Sequence, residues 1–351
     1  MNTKTYPKTY KRPPVRRRRG RRYAYGRLYL LIALVAVAFV LFGILRSSTA
    51  DEVDEAYEPP NLEVESIDIS LLQSEMDSVE RRISFSYGLL PLDLSRHIVV
   101  DPNGFVELIT FSPPTQTMHV YTTVPVVYEA HYSYETNNVY IHIHNPRDLY
   151  SRIVILDPGE GGSEPGAVVN NIRESDINLE IALLVYERLE HSQSGIKAFM
   201  TRRDDRFVSL SDRPFISNNI ADMFVSIHNN GFGGSNPHLV YGTEVLFNPI
   251  EPHITHGNSG RLNIDNRSLA QIFQDELVNE LGTRDRGVLE IRHIAVLEAN
   301  RVPAVLLEVE FMTNPSSLSN LLDPDFQNRA ADAIYRGIVK GFESMNENTD
   351  V

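Results

Sequence analysis

Four residues of this 351-residue chain have the types and settings that hydrolytic chemistry asks for: Glu160, Glu174, His228 and Glu308. Glu160 sits in Asp157-Pro158-Gly159-Glu160-Gly161-Gly162, where glycines and a proline specify a tight, exposed turn. His228 follows the apolar run 223–227 and precedes Asn229-Asn230. Glu174 stands just before an amphipathic run, and Glu308 lies among Val305, Leu306, Leu307 and Val309. Carboxylates and an imidazole are the donors of a hydrolytic metal site, which needs three ligands, an open position for water and a nearby base. Each residue also has a blander reading. A glutamate before a helix favours the helix dipole, and a histidine at a strand end is commonly a hydrogen-bonded structural group. A carboxylate in an apolar strand is the least bland, because an unpaired buried charge is costly.

The elements that must position these groups alternate. Strand-like runs at 153–156, 197–201, 223–227, 243–247 and 304–309 are separated by helical patterns. Ile177, Ile181, Leu184 and Val185 mark one helix face, Leu269, Ile272, Phe273, Leu277 and Leu281 a second, and Ala330, Ile334, Ile338 and Phe342 a third. This predicts an α/β fold, a mostly parallel sheet flanked by helices on both faces, with functional groups at strand C-terminal ends. Residues 80–148 have a different texture. Alternation such as Val139, Ile141, Ile143 against Tyr140, His142, His144 predicts a small antiparallel β domain. His142 and His144 share a strand face; the metal reading competes there with a plain polar face.

Charge divides the chain again. Residues 1–27 hold 11 Lys and Arg and no acid, leaving 22 basic against 46 acidic residues, a balance of −24, in the remainder. The acidic body argues against a nucleic-acid partner. Residues 28–45, which open on Leu28 and close on Leu45, are 18 residues without a charge. As a helix they would span about 27 Å, close to a bilayer's hydrocarbon core. The arginines before this run predict a transmembrane anchor with a cytoplasmic N-terminus and an extracytoplasmic body; cleavage near Ala50 and secretion is the alternative. The expected organisation is a basic arm (1–27), an anchor (28–45), an acidic linker (46–79), the β domain (80–148) and an α/β domain (151–345). With no cysteine in the chain, disulfides, thiolate metal ligands and a cysteine nucleophile are excluded.

Within 151–345 the motifs resemble, in order, those of the zinc-dependent N-acetylmuramoyl-L-alanine amidases. Residues 153–162 resemble that family's strand and D-P-G-H-G-G turn, and Glu174-Ser175-Asp176-Ile177-Asn178-Leu179 resembles its E-K-D-I-N-L helix start. Thr201-Arg202-Arg203-Asp204-Asp205 with Leu210 and Arg213 is similar to T-R-x-x-D and L-x-x-R, and Ser226-Ile227-His228-Asn229-Asn230 to S-I-H-x-N. Asp285-Arg286-Gly287-Val288, 303–308, and Phe311 with Asn314 and Leu321 continue the series. The resemblance implies a peptidoglycan substrate and one zinc ion held at positions 160, 174 and 228. Glu308 is then the general base, and Asn230 and Arg213 are candidate substrate contacts.

Two positions depart from the pattern. Glu160 stands where the family has its first histidine, and Glu310 where it usually has glycine. Glutamate can ligate zinc at a distance similar to imidazole. Two carboxylates, however, neutralise a divalent ion, so its water is acidified less and a harder ion such as Mn²⁺ gains ground. The implied alternatives are a metal-dependent amidase and a metal-free amidase-like module that binds peptidoglycan or scaffolds wall assembly.

Overall fold

The structure is a computed structural model that describes residues 73–86, 104–112, 114–133, 135, 138–253 and 264–347. The basic arm, the apolar run and residues 46–72 of the expected linker lie outside the described residues. Among the described residues no helix is long and apolar enough to cross a membrane.

Four N-terminal strands, β1 (Gln73–Asp77), β2 (Arg82–Ser86), β3 (Val106–Ser112) and β4 (Thr117–Thr122), form an antiparallel sheet in the order β1-β2-β4-β3. Strands β5 (Val127–Ser133) and β6 (Asn138–His144) make a separate antiparallel pair. Strand β1 falls inside 46–79, the stretch whose acidity marked it as linker. Its acids are used in contacts: Asp77 pairs with Arg206, and Glu75 lies 3.8 Å from Arg203. His142 is exposed and stacks on His131, with ring centroids 5.8 Å apart. Among the described residues no cluster of three metal-ligating side chains forms there.

After the short helix α1 (Pro146–Leu149) the chain builds the larger sheet. In chain order the elements are β7 (Arg152–Pro158), β8 (Val168–Val169), β9 (Ile172–Arg173), α2 (Glu174–His191), β10 (Ile196–Met200), α3 (Asp212–Ile220), β11 (Met223–Asn230), β12 (Thr243–Phe247), α4 (Asn266–Leu281), β13 (Asp285–Glu290), α5 (Ala295–Glu298), β14 (Ala304–Phe311), α6 (Pro315–Leu321) and α7 (Pro324–Glu347). The six-stranded order is β10-β7-β11-β14-β12-β13. The sheet is mixed: β12 runs antiparallel to β14, and the other neighbours are parallel. This one reversal brings the first residues of β12 and β13 to the end where β7, β11 and β14 finish.

Alternation along the strands sorts side chains to two faces. Val154, Leu156, Val225, Ile227, Val305 and Leu307 face helices α2, α4 and α7. Ile153, Ile155, Phe224 and Leu306 face Ile216 and Ile220 of α3 and Val296 and Leu297 of α5. Each fully buried aliphatic side chain contributes roughly 1.5–3 kcal/mol, so the central strands carry much of the stabilising burial among the described residues. Val79, Val124 and Val127 also pack on the second core, which joins the N-terminal strands to the sheet. Helix α4 is fixed at both ends, by Asp265 accepting from the Ser268 amide at 2.7 Å and by Gly282 closing it at φ +66°.

Candidate metal centre

Apolar strands end here in a row of polar side chains. In the sheet register Ser226 lies opposite Asp157, His228 opposite Glu308, and Glu308 opposite Glu244. The buried Asp157 anchors the row. It accepts from Thr201 Oγ1 (2.6 Å), Arg213 Nη1 (2.8 Å) and Ser226 Oγ (2.7 Å). Burial alone would raise its pKa, but Arg213 and the two hydroxyls outweigh that and hold it below the usual carboxylate range.

The loop after β7 is held by two buried arginines. Arg202 donates to the carbonyls of Pro158 (2.9 Å), Gly159 (2.7 Å) and Ser175 (2.8 Å). Arg213 donates to the carbonyls of Pro158 (3.0 Å), Glu160 (2.7 Å) and Val208 (3.1 Å). Arg213 is only 2% exposed. Expected as a substrate contact, it lies buried in this structure and fixes the backbone that carries Glu160.

Glu160 itself has φ +62°, a left-handed conformation that a residue with a Cβ adopts at a cost of about 1–3 kcal/mol. Such strain persists where surroundings impose it, and here the arginines do. Two glycines make the close approach possible. A Cβ on Gly159 would lie 2.1 Å from His228 Nε2, and one on Gly166 would lie 2.3 Å from Glu174 Oε2 and 2.8 Å from Glu160 Cγ. Glu160, Glu174 and His228 consequently converge, with one ligand atom from each lying within 4.8 Å of the others.

Glu174 is far from a solvated first-turn acid. Its Oε2 accepts from the Ala167 amide (2.9 Å), and its Oε1 from Asn178 Nδ2 (3.2 Å) and His228 Nδ1 (2.9 Å). Burial works against its charge, but the His228 contact prevails and its pKa is lowered. His228 shows the reciprocal effect: burial disfavours the imidazolium, yet the bond to Glu174 and the carboxylates around it push the pKa up to about 9. Burial also raises the Glu160 pKa, opposed by His228 and reinforced by Glu174. These groups form a cradle that favours positive charge.

Glu308 completes the cluster. Burial pushes its pKa up to about 8, with His228 opposing and Glu174, Glu244 and Glu160 adding to the rise. Its Oε2 is buried and, among the described residues, has no hydrogen-bond partner. Such orphans are uncommon and mark an unfilled role. A cradle of two carboxylates and an imidazole beside an unpartnered carboxylate oxygen fits a divalent ion with an attendant base.

The other expected contact, Asn230, is half-buried and donates to Glu244 Oε1 at 3.0 Å. Sequence reasoning missed Glu244, although an acid inside the buried run Thr243–Phe247 is the same signal that singled out Glu308. Glu310 gains an account: its Oε2 accepts from the amides of Gly242 (2.9 Å) and Phe311 (3.0 Å), pinning the start of β12 to the end of β14.

Comparison with known proteins bears on this cluster. The profile of the N-acetylmuramoyl-L-alanine amidase family (Amidase_3) matches residues 154–340, more than half of the chain. The chain belongs to this family. Among similar proteins, YqiI of Bacillus subtilis (strain 168), described as uncharacterized, is 38% identical over 192 residues, 54% of this chain and 84% of that protein. The N-acetylmuramoyl-L-alanine amidase LytC of the same organism is 35% identical over 187 residues; the match covers 53% of this chain but only 34% of LytC. A solved N-acetylmuramoyl-L-alanine amidase from Clostridium difficile 630 is 31% identical, with 56% of this chain and 98% of that one covered at a TM-score of 0.47. The amidase-family region begins within β7 and ends within α7, so it contains Glu160, Glu174, His228 and Glu308.

Proposed function

We propose that this chain is a peptidoglycan hydrolase that cleaves the amide between the lactyl group of N-acetylmuramic acid and L-alanine. The observation that carries the reading is the convergence of Glu160, Glu174 and His228 beside the unpartnered Oε2 of Glu308. The three convergent residues would hold one divalent ion, zinc by family or a harder ion such as Mn²⁺. When bound, that ion supplies a Lewis acid that polarises the amide carbonyl and acidifies a water. Beside the positive charge of such an ion the ionised Glu308 carboxylate would be favoured, and it then takes a proton from the attacking water. The water oxygen bonds to the carbonyl carbon, the C–N bond breaks, and Glu308 returns the proton to the leaving nitrogen. Arg202 and Arg213 keep the Glu160 loop fixed while this happens.

A second reading follows from Glu160. If its carboxylate leaves the centre too weak for metal, the domain is a peptidoglycan-binding or wall-assembly module. Metal analysis of the purified chain together with a muropeptide digest separates the two. The amidase reading expects about one ion per chain and release of free peptide from N-acetylmuramic acid, lost on chelation and restored by added zinc or manganese. Absence of metal together with an undigested muropeptide supports the module instead.

We infer that the working domain acts outside the cytoplasm, where the proposed wall substrate lies, and that residues 28–45 anchor the chain in the cell membrane with residues 1–27 inside. External protease on intact protoplasts should remove the body, whereas full protection of residues 80–345 would reverse the orientation.

A further inference from the structure

The row of polar groups does not stop at Glu308. Because β12 opposes β14, Glu244 and the start of β13 lie at the same end of the sheet as His228 and Glu308. Glu244 is buried, and its carboxylate is held twice, by Asn230 at Oε1 (3.0 Å) and by Arg286 Nε at Oε2 (2.6 Å). Arg286 also lies over the Phe311 ring, 4.7 Å from its centroid, and the exposed Arg284 lies 5.6 Å from that of Tyr241.

Gly242 seats both arginines. At φ +114° it has no room for a Cβ, which would meet the Arg284 carbonyl at 2.4 Å and Arg284 Cβ and Arg286 Cγ at 3.0 Å. The amide of Gly242 is the one held by Glu310, so that residue also fixes the arginine wall. Among the described residues, Arg284 has no acidic partner, and the terminal nitrogens of Arg286 make no hydrogen bond. In a chain of net charge −13, two guanidinium groups with free donors therefore stand on one flank of the site, and Glu160, Glu164 and Glu174 stand on the other.

Neighbouring strands are about 4.8 Å apart. Arg286 on β13 is thus roughly 10 Å across the sheet from Glu308 on β14, with β12 between them. An extended peptide covers that span in about three residues. We propose that Arg284 and Arg286 bind carboxylates of the peptide released from the cleaved amide, so that this acidic peptide runs across the strand ends toward β13. Glu244 acts as a positioning residue that presents the Arg286 fork. The proposal rests on the amidase reading for the identity of the peptide, and its test does not depend on turnover.

The test uses the full-length chain carrying Glu308→Gln, so that ligand is not consumed. Two soluble muramoyl-peptides are titrated, one with free carboxylates on the peptide and one with these converted to carboxamides. A charge-assisted fork should favour the carboxylate form by about tenfold. The preference should weaken with added salt, fall in Arg284→Gln and vanish in Arg286→Gln. Arg286→Lys, which keeps the charge without the planar fork, should retain part of it. Equal affinity for the two ligands, failure of the carboxylate form to bind, or a preference that survives the Arg284→Gln/Arg286→Gln double variant would overturn the proposal. Digestion of the same ligands by the unmodified chain reports separately on the amidase reading. Discrimination without cleavage keeps the subsite and removes the amidase; cleavage without discrimination does the reverse.

Discussion

Glu308→Gln should lower turnover of soluble muropeptides by roughly 10²–10⁴-fold, the range that general acid–base groups contribute, and leave metal content unchanged. The side chain sits opposite His228 in the register of β11 and β14, outside the trio that converges within 4.8 Å. Glutamine has nearly the same shape, so Leu306, Leu307 and Val309 around it need not repack. It also replaces a carboxylate whose Oε2 has no partner among the described residues, and burial of such a group is itself unfavourable. The variant should therefore melt at or slightly above the temperature of the unmodified chain while being inactive. That combination distinguishes a catalytic residue from a structural one. Unimpaired digestion would remove Glu308 from the mechanism, and loss of metal along with activity would make it a ligand instead of a base.

The parts of this molecule that were legible in the sequence are those where burial and chemistry make opposite demands. Strands β7, β11, β12 and β14 are apolar on both faces, so their interiors could be placed to within a few residues, and a charged group inside them stood out. Glu308 was visible for that reason, and Glu244 was equally visible in principle. Strand β13 was not read as a strand because it is a half-exposed edge, rich in charge and interrupted by Gly287. Helix α3 escaped because its inward face is built from Arg213, Pro214 and Ser217 as well as Ile216 and Ile220. The reversal of β12 has no local signature at all: direction in a sheet is set by which neighbour a strand finds. The roles of Arg202 and Arg213 were hidden for a related reason. An arginine in a loop motif looks like a surface or substrate group, and only the fold reveals that its donors are spent on buried carbonyls.

Glu160 decides how strong the centre is, and substitution there should have the other large effect. The residue's backbone lies at φ +62°, a region that histidine enters more readily than most side chains. Glu160→His is thus compatible with the loop that Arg213 and Arg202 hold, and Gly159 and Gly166 keep the space beside it open. Two carboxylates and one neutral imidazole cancel the charge of a divalent ion; one carboxylate and two imidazoles leave it a net positive charge. The more electropositive centre polarises a carbonyl and acidifies water more strongly. Glu160→His should therefore tighten zinc or speed hydrolysis by about one to two decades, the scale on which altered metal shells act. Glu160→Ala already carries the Cβ that this backbone tolerates, so it should fold, yet it leaves only Glu174 and His228 to ligate and should lose the ion. Metal content is measured on all three proteins after equal dialysis. If native protein and Glu160→Ala hold the same amount, Glu160 is not a ligand. If both hold none, the binding-module reading takes precedence, because the carboxylate would be facing the wall polymer instead of a metal.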